Sequence, residues 1–160
     1  MGKQQPIEVF MPPNVLKAKV GGDGVAGLDM AAIKRAETAI AELKEEFAEW
    51  INSDVAKLVE ARNIYAKDNN IDALKTLYRM AHDLKGQGTT FDFPMVTRVA
   101  ASLCNLTEAL ENRQAPIGLI DAHVDAIKVV VRDNIRDSGN QIATVLAAEL
   151  EARVKEFLGK

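Results

Sequence analysis

From Asp29 onward the apolar residues recur at steps of three and four, the spacing that lines one face of an α-helix. Ile33, Ala36, Ile40, Leu43, Phe47 and Trp50 form the first stripe, with Asp29 placed to cap its start. Ile51, Val55, Leu58 and Tyr65 continue it with a slow drift, so residues 29–67 read either as one helix or as two that meet at Asn52–Asp54. The run "KDNN", Lys67 to Asn70, ends it. Four further helices are predicted over Ile71–Phe91, Pro94–Asn112, Pro116–Arg136 and Asn140–Leu158. Their stripes are Leu74, Leu77, Ala81, Leu84, Gly88 and Phe91; Val96, Val99, Leu103, Leu106 and Leu110; Ile117, Ile120, Val124, Ile127 and Val131; and Ile142, Val145, Leu146, Leu150, Val154 and Phe157. No stretch after residue 28 alternates with the period of two that marks a strand. The links "FDFP", "RQAP" and "DSGN" are short, which favours antiparallel neighbours. The expected fold is therefore all-α, an up-and-down antiparallel helical bundle over residues 29–160.

Residues 1–28 break the pattern. They hold Pro6, Pro12 and Pro13 together with Gly2, Gly21, Gly22, Gly24 and Gly27, the composition of an extended or flexible arm. Within it Ile7, Val9, Phe10 and Met11 are an apolar run that could dock on the bundle or on a partner.

Composition narrows the function classes. A chain of 160 residues that is 48% hydrophobic and 27% charged suits one domain with a sizeable core. A net charge of -3 supplies no general attraction to nucleic acid or to an anionic membrane. The single cysteine, Cys104, cannot close an intramolecular disulfide, and its place beside Leu103 reads as a small buried hydrophobe in a reducing compartment. No run of 18 apolar residues occurs, the N-terminus lacks an apolar signal core, and Pro6 spoils a myristoylation pattern. The expected location is cytoplasmic.

Candidate chemistry concentrates in "YRMAHDLKGQGTTFDFP", Tyr78 to Pro94. His82 follows the core position Ala81 by about 100° of helical rotation, which carries it off the apolar stripe. Arg79, His82, Lys85, Gly86 and Thr89 then share one outward side at steps of three and four. A neutral imidazole keeps a ring lone pair that can attack phosphorus, and a lysine one turn away can neutralise phosphoryl oxygens. Gly86 weakens the helix by about 1 kcal/mol relative to alanine, a cost that makes sense if something bulky must approach the ring. Gly88 lies on the core stripe, where close packing is explanation enough.

The segment "AHDLKG", Ala81 to Gly86, resembles the AHxLKG motif of histidine-containing phosphotransfer (HPt) domains. The resemblance implies a four-helix HPt-like core, with the N- and C-terminal segments as additions to it. It also implies that His82 accepts a phosphoryl group from a receiver-domain aspartate and passes it to another receiver. Lys85 would then stabilise the phosphoryl group, while Arg79, Gly86 and Thr89 belong to the docking surface. The implied partners are response-regulator receiver domains and a hybrid sensor kinase. The chain would be a phosphocarrier without autokinase activity, holding no metal or cofactor of its own, with the Mg ion residing in the receiver. The family pattern commonly places a glycine ten residues beyond the histidine, where this chain has Asp92, so the departure bears on the turn "FDFP", with Asp92 or Phe93 capping the next helix.

Other readings fit less well. A sensor-kinase dimerisation domain carries an H-E/D-x-x-T/N pattern; Asp83 meets its first part, but Gly86 stands where Thr or Asn is required. A di-iron bundle needs Glu three residues before its histidines, where this chain has Arg79 and Ile120. His123, between Asp121 and Asp125, reads as a solvated or boundary histidine. The surviving alternative is a non-catalytic adaptor bundle in which His82 is incidental.

Overall fold

A computed structural model describes residues 30–109 and 116–159. The N-terminal arm, the Asp29 cap, Leu110 and most of the "RQAP" link lie outside the described residues. Five helices follow in order: α1 (Met30–Asp68), α2 (Ile71–Gln87), α3 (Pro94–Glu108), α4 (Ile117–Arg132) and α5 (Gln141–Leu158), with no strand among the described residues. The all-α antiparallel bundle expected from the periodicity is the architecture found. Two compact units divide it, one ending at Ala41 and the other running from Glu42.

α1 is one helix of 39 residues, which decides between the two readings of this region. The suspected break at Asn52–Asp54 does not occur because the polar side chains there serve the helix. Asn52 Nδ2 donates to the Ala48 carbonyl at 2.7 Å, and Lys57 pairs with Asp54 one turn on. The helix stops where Asn69 takes a φ of 43°, a left-handed conformation that asparagine tolerates, and Asn70 then caps α2 by accepting from Ala73 N–H at 2.8 Å.

The core of the second unit is built from the expected faces of α2, α3 and α4. Leu74, Leu77, Ala81, Leu84 and Phe91 are buried against Val96, Val99, Leu103 and Leu106, and Ile120, Val124, Ile127 and Val131 close the other side. From α1 Ile51, Val55, Leu58, Ala61 and Tyr65 are buried with them and Phe47 packs half-buried against the core, whereas Leu43 and Trp50 are exposed. The expected core face of α5 holds in its second half, at Leu150, Val154 and the half-buried Phe157, and fails in its first. Ile142, Val145 and Leu146 face outward, and Ala143, Ala147, Leu150 and Val154 pack inward. These four keep helical spacing. Ion pairs tie the elements together, with Arg62 of α1 gripping both carboxylate oxygens of Asp121 on α4, and Arg98 of α3 doing the same to Glu151 of α5 at 2.7 and 2.8 Å.

Three helix ends fall earlier than predicted. α4 stops at Arg132 because Asn134 adopts a φ of 52° and Ile135 N–H returns to the Val130 carbonyl. α2 stops at Gln87, and the turn that follows closes when Asp92 takes a φ of 67° and Phe93 N–H bonds to the Gly88 carbonyl at 2.7 Å. α3 stops at Glu108. Phe93 occupies the N-cap of α3 without any side-chain bond, so the start of that helix rests on Pro94 at its first position rather than on Asp92.

Candidate functional site

α2 sets the site by having two faces of opposite character. Its apolar face is fully engaged: Leu77, Ala81 and Leu84 have no exposed surface. The opposite face presents Arg79, His82, Lys85 and Gly86, all exposed, and Thr89, also exposed, follows in the turn just beyond the helix. Among the described residues no hydrogen bond engages the His82 ring nitrogens. A neighbour that the spacing argument passed over is Tyr78, one turn earlier. Its half-buried ring lies 5.9 Å from the His82 ring, tilted by 34°. The i, i+4 relation of Tyr78 to His82 was visible in the sequence and would have identified it.

The two glycines beside this row differ in what a side chain would meet. A Cβ on Gly86 would have nothing within 4 Å. A Cβ on Gly88 would sit 2.6 Å from Thr97 Oγ1 and 2.8 Å from the Thr97 backbone nitrogen. Glycine at 88 is thus required by the approach of α3, while at 86 a Cβ would meet nothing and the absence of a side chain leaves open space beside the helix one turn from His82. Thr89, at the end of the row, shares a hydrogen bond with Thr97 at 3.0 Å, which joins the row to the start of α3.

The position where the family pattern has glycine now has a backbone reason. Asp92, with its φ of 67°, occupies the left-handed region that glycine adopts freely and aspartate tolerates. The substitution keeps the turn. Arg136 supports it from the far side, donating to the Phe91 carbonyl at 3.3 Å and lying 4.5 Å above the Phe93 ring.

His123 is corrected by the structure. It is fully buried between α3 and α4 rather than solvated or at a boundary. Its Nδ1 lies 2.7 Å from the Leu119 carbonyl, and its Nε2 lies 3.0 Å from Ser102 Oγ. A carbonyl can only accept, so Nδ1 carries the proton and Nε2 accepts from the serine hydroxyl. Burial pushes the imidazolium form away and lowers the pKa, partly countered by the Leu119 carbonyl. Both nitrogens are engaged, so this ring holds two helices together. Cys104 is buried too, and desolvation pushes its thiol up to about 11, with Lys85 pulling weakly the other way. It is no nucleophile at neutral pH.

Nothing among the described residues resembles a metal centre, since no group of three acidic, cysteine or histidine side chains converges. A groove of about 610 Å³ between α3 and α5, lined by Arg98, Asn105, Glu151 and Lys155, includes none of the His82 row. A smaller one of about 270 Å³ between α2 and α3 reaches Tyr78. No helix among the described residues is long and apolar enough to cross a membrane.

An exposed histidine on α2, a lysine one turn on and a cleared position beside them form an open surface rather than an enclosed pocket. The family model of the Hpt domain matches residues 42–154, well over half of the chain, and the chain belongs to that family. The match begins at Glu42, where the second compact unit begins, and runs through α4 and α5 to Val154. Domains of this family serve histidine phosphotransfer in phosphorelays and interact there with receiver domains. No curated protein and no solved structure matches the chain.

Proposed function

We propose that the chain is a phosphorelay intermediate in which His82 accepts a phosphoryl group from a receiver aspartate and hands it to a second receiver. The observation that carries this reading is the open space at Gly86 one turn from an exposed imidazole. In the forward step the lone pair of a His82 ring nitrogen attacks the phosphorus of the aspartyl phosphate. An N–P bond forms, the acyl P–O bond breaks and the aspartate leaves as carboxylate. The other ring nitrogen keeps its hydrogen. Transfer to the next receiver repeats the exchange in reverse on a different carboxylate. Lys85 lies within a turn and supplies positive charge to the phosphoryl oxygens, while Arg79 and Thr89 extend the polar surface that meets the receiver. The Mg ion that activates the acyl phosphate belongs to the receiver, so this chain contributes a placed nucleophile and a complementary face, without autokinase chemistry.

Incubating the protein with a phosphorylated receiver domain tests this directly. The expected product is an acid-labile, alkali-stable label that disappears in His82→Gln. Undiminished labelling of that variant, or none on the wild type with receivers from several relays, would leave only the adaptor reading. Lys85→Ala should slow labelling on the order of tenfold, the effect of losing ~1.4 kcal/mol in the transition state, with helix content unchanged. Gly86→Leu should weaken receiver docking.

A further inference from the structure

Tyr78 and His82 are four residues apart on α2, the spacing at which two side chains lie one above the other on a helix surface. A helical side chain leans back over the turn before its own Cα, so the His82 ring is carried toward Tyr78 and away from Gly86. The outcome is a ring pair 5.9 Å apart with a 34° tilt, within the range of an aromatic contact. The two rings are held differently. Tyr78 is half-buried and packs against the core, at the border of α2 and α3, where it shares a cleft with Leu74 and Thr107. His82 is exposed, and among the described residues no hydrogen bond fixes its ring. One turn beyond it, a Cβ at Gly86 would meet nothing. The imidazole is thus backed by a fixed body on one side and unobstructed on the other.

We propose that Tyr78 is a positioning residue for phosphoryl transfer at His82, a role that rests on the reading of His82 as the phosphoryl acceptor. A phosphoryl group held by a docked receiver has one direction of approach, and in-line attack needs the ring nitrogen on that line. An unsupported imidazole on a helix turns among its staggered χ1 wells and spends only part of its time there. Stacked on Tyr78 it keeps one orientation, and the missing side chain at Gly86 leaves the other side clear. The role belongs to the aromatic ring and makes no use of the phenol hydroxyl. Phenylalanine should therefore serve at this position, while leucine, which fills the same half-buried place without a ring face, should not. A small dissolved donor has no fixed direction of approach, so it should not sense the loss.

Labelling of the wild type, Tyr78→Phe and Tyr78→Leu by two donors tests this role. His123 is buried with both ring nitrogens engaged, so the label reads His82. With a phosphorylated receiver at saturating concentration, Tyr78→Leu should take label about threefold more slowly, the dilution expected when one staggered χ1 well is no longer selected. Its half-saturating receiver concentration should be unchanged, and Tyr78→Phe should match the wild type. With phosphoramidate a ring nitrogen attacks phosphorus, the P–N bond of the donor breaks and ammonia leaves with the electron pair; here all of these chains should label alike. In proton spectra the His82 ring resonances should lie upfield in the wild type and Tyr78→Phe, through the ring current of the neighbour, and lose that shift in Tyr78→Leu. Transfer to Tyr78→Leu at the wild-type rate overturns the proposal. So does a slowing shared by phosphoramidate, which marks a damaged fold, or a change confined to the half-saturating concentration, which marks a docking contact. A loss in Tyr78→Phe as large as in Tyr78→Leu gives the role to the hydroxyl and overturns it too. A wild type labelled by phosphoramidate but by no receiver removes the phosphorelay reading and this role with it, whereas a receiver-labelled wild type matched by Tyr78→Leu removes the role alone.

Discussion

His82 and His123 lie on helices of the same bundle, and everything around them is opposite. His82 is exposed, with no hydrogen bond to its ring among the described residues and open space one turn on at Gly86. His123 is buried, with Nδ1 held by the Leu119 carbonyl and Nε2 by Ser102. The flanking glycines repeat the contrast, since Gly86 borders solvent and Gly88 is pressed against Thr97. Reactivity and structural use compete for the same imidazole: a lone pair committed to a buried hydroxyl cannot reach a phosphoryl donor, and an unbound ring contributes nothing to the core.

Exchanging the two roles by mutation should give the largest effects. His82→Gln should abolish phosphoryl labelling while changing stability by no more than about 0.5 kcal/mol, as surface substitutions do. His123→Ala should cost about 2–4 kcal/mol in urea denaturation, through a cavity and an unpaired Ser102, with labelling per folded molecule retained. A stable His123→Ala or a poorly folded His82→Gln would break the comparison. Next come the glycines, with opposite signs. Gly88→Ala should destabilise by about 1–3 kcal/mol, because its Cβ meets backbone that cannot move freely. Gly86→Ala should stabilise by up to about 1 kcal/mol.

A pH series sharpens the histidine contrast further. The folded pKa of His123 lies below its unfolded value, so the unfolded chain binds the extra proton first as pH falls. The contribution is present above the ordinary histidine value of about 6.5 and is lost as pH falls from there through the folded value. Denaturation midpoints at pH 7.5 and 5.5 should therefore differ more for the wild type than for His123→Gln. The smallest effect is expected at the turn, where Asp92→Gly should gain about 0.5–1 kcal/mol by relieving a left-handed aspartate. No gain there would mean that the Arg136 contacts to this turn matter more than its backbone.

The outward row on α2 was legible in the sequence because α2 has a continuous apolar stripe, and a stripe fixes the orientation of every other residue on its helix. Arg79, His82, Lys85, Gly86 and Thr89 followed from Leu74, Leu77, Ala81 and Leu84 by rotation alone. His123 defeated the same reasoning. It sits beside Val124 at the margin of a stripe, between two aspartates, and its burial depends on Ser102, 21 residues away on another helix. On α5 the expected stripe was right from Leu150 onward and wrong before it, where Ile142, Val145 and Leu146 are exposed and the small side chains of Ala143 and Ala147 are buried instead.

The sequence by itself determined the helices, the family motif and the side of α2 on which His82 stands, because these depend on neighbours within a turn or two. Tertiary structure decided how much of the α1 stripe and of the α5 stripe is buried, which histidine is locked, and why Gly88 cannot be anything larger while Gly86 could. Those outcomes depend on how closely two helices approach, a distance fixed by side chains from both and encoded in neither segment alone.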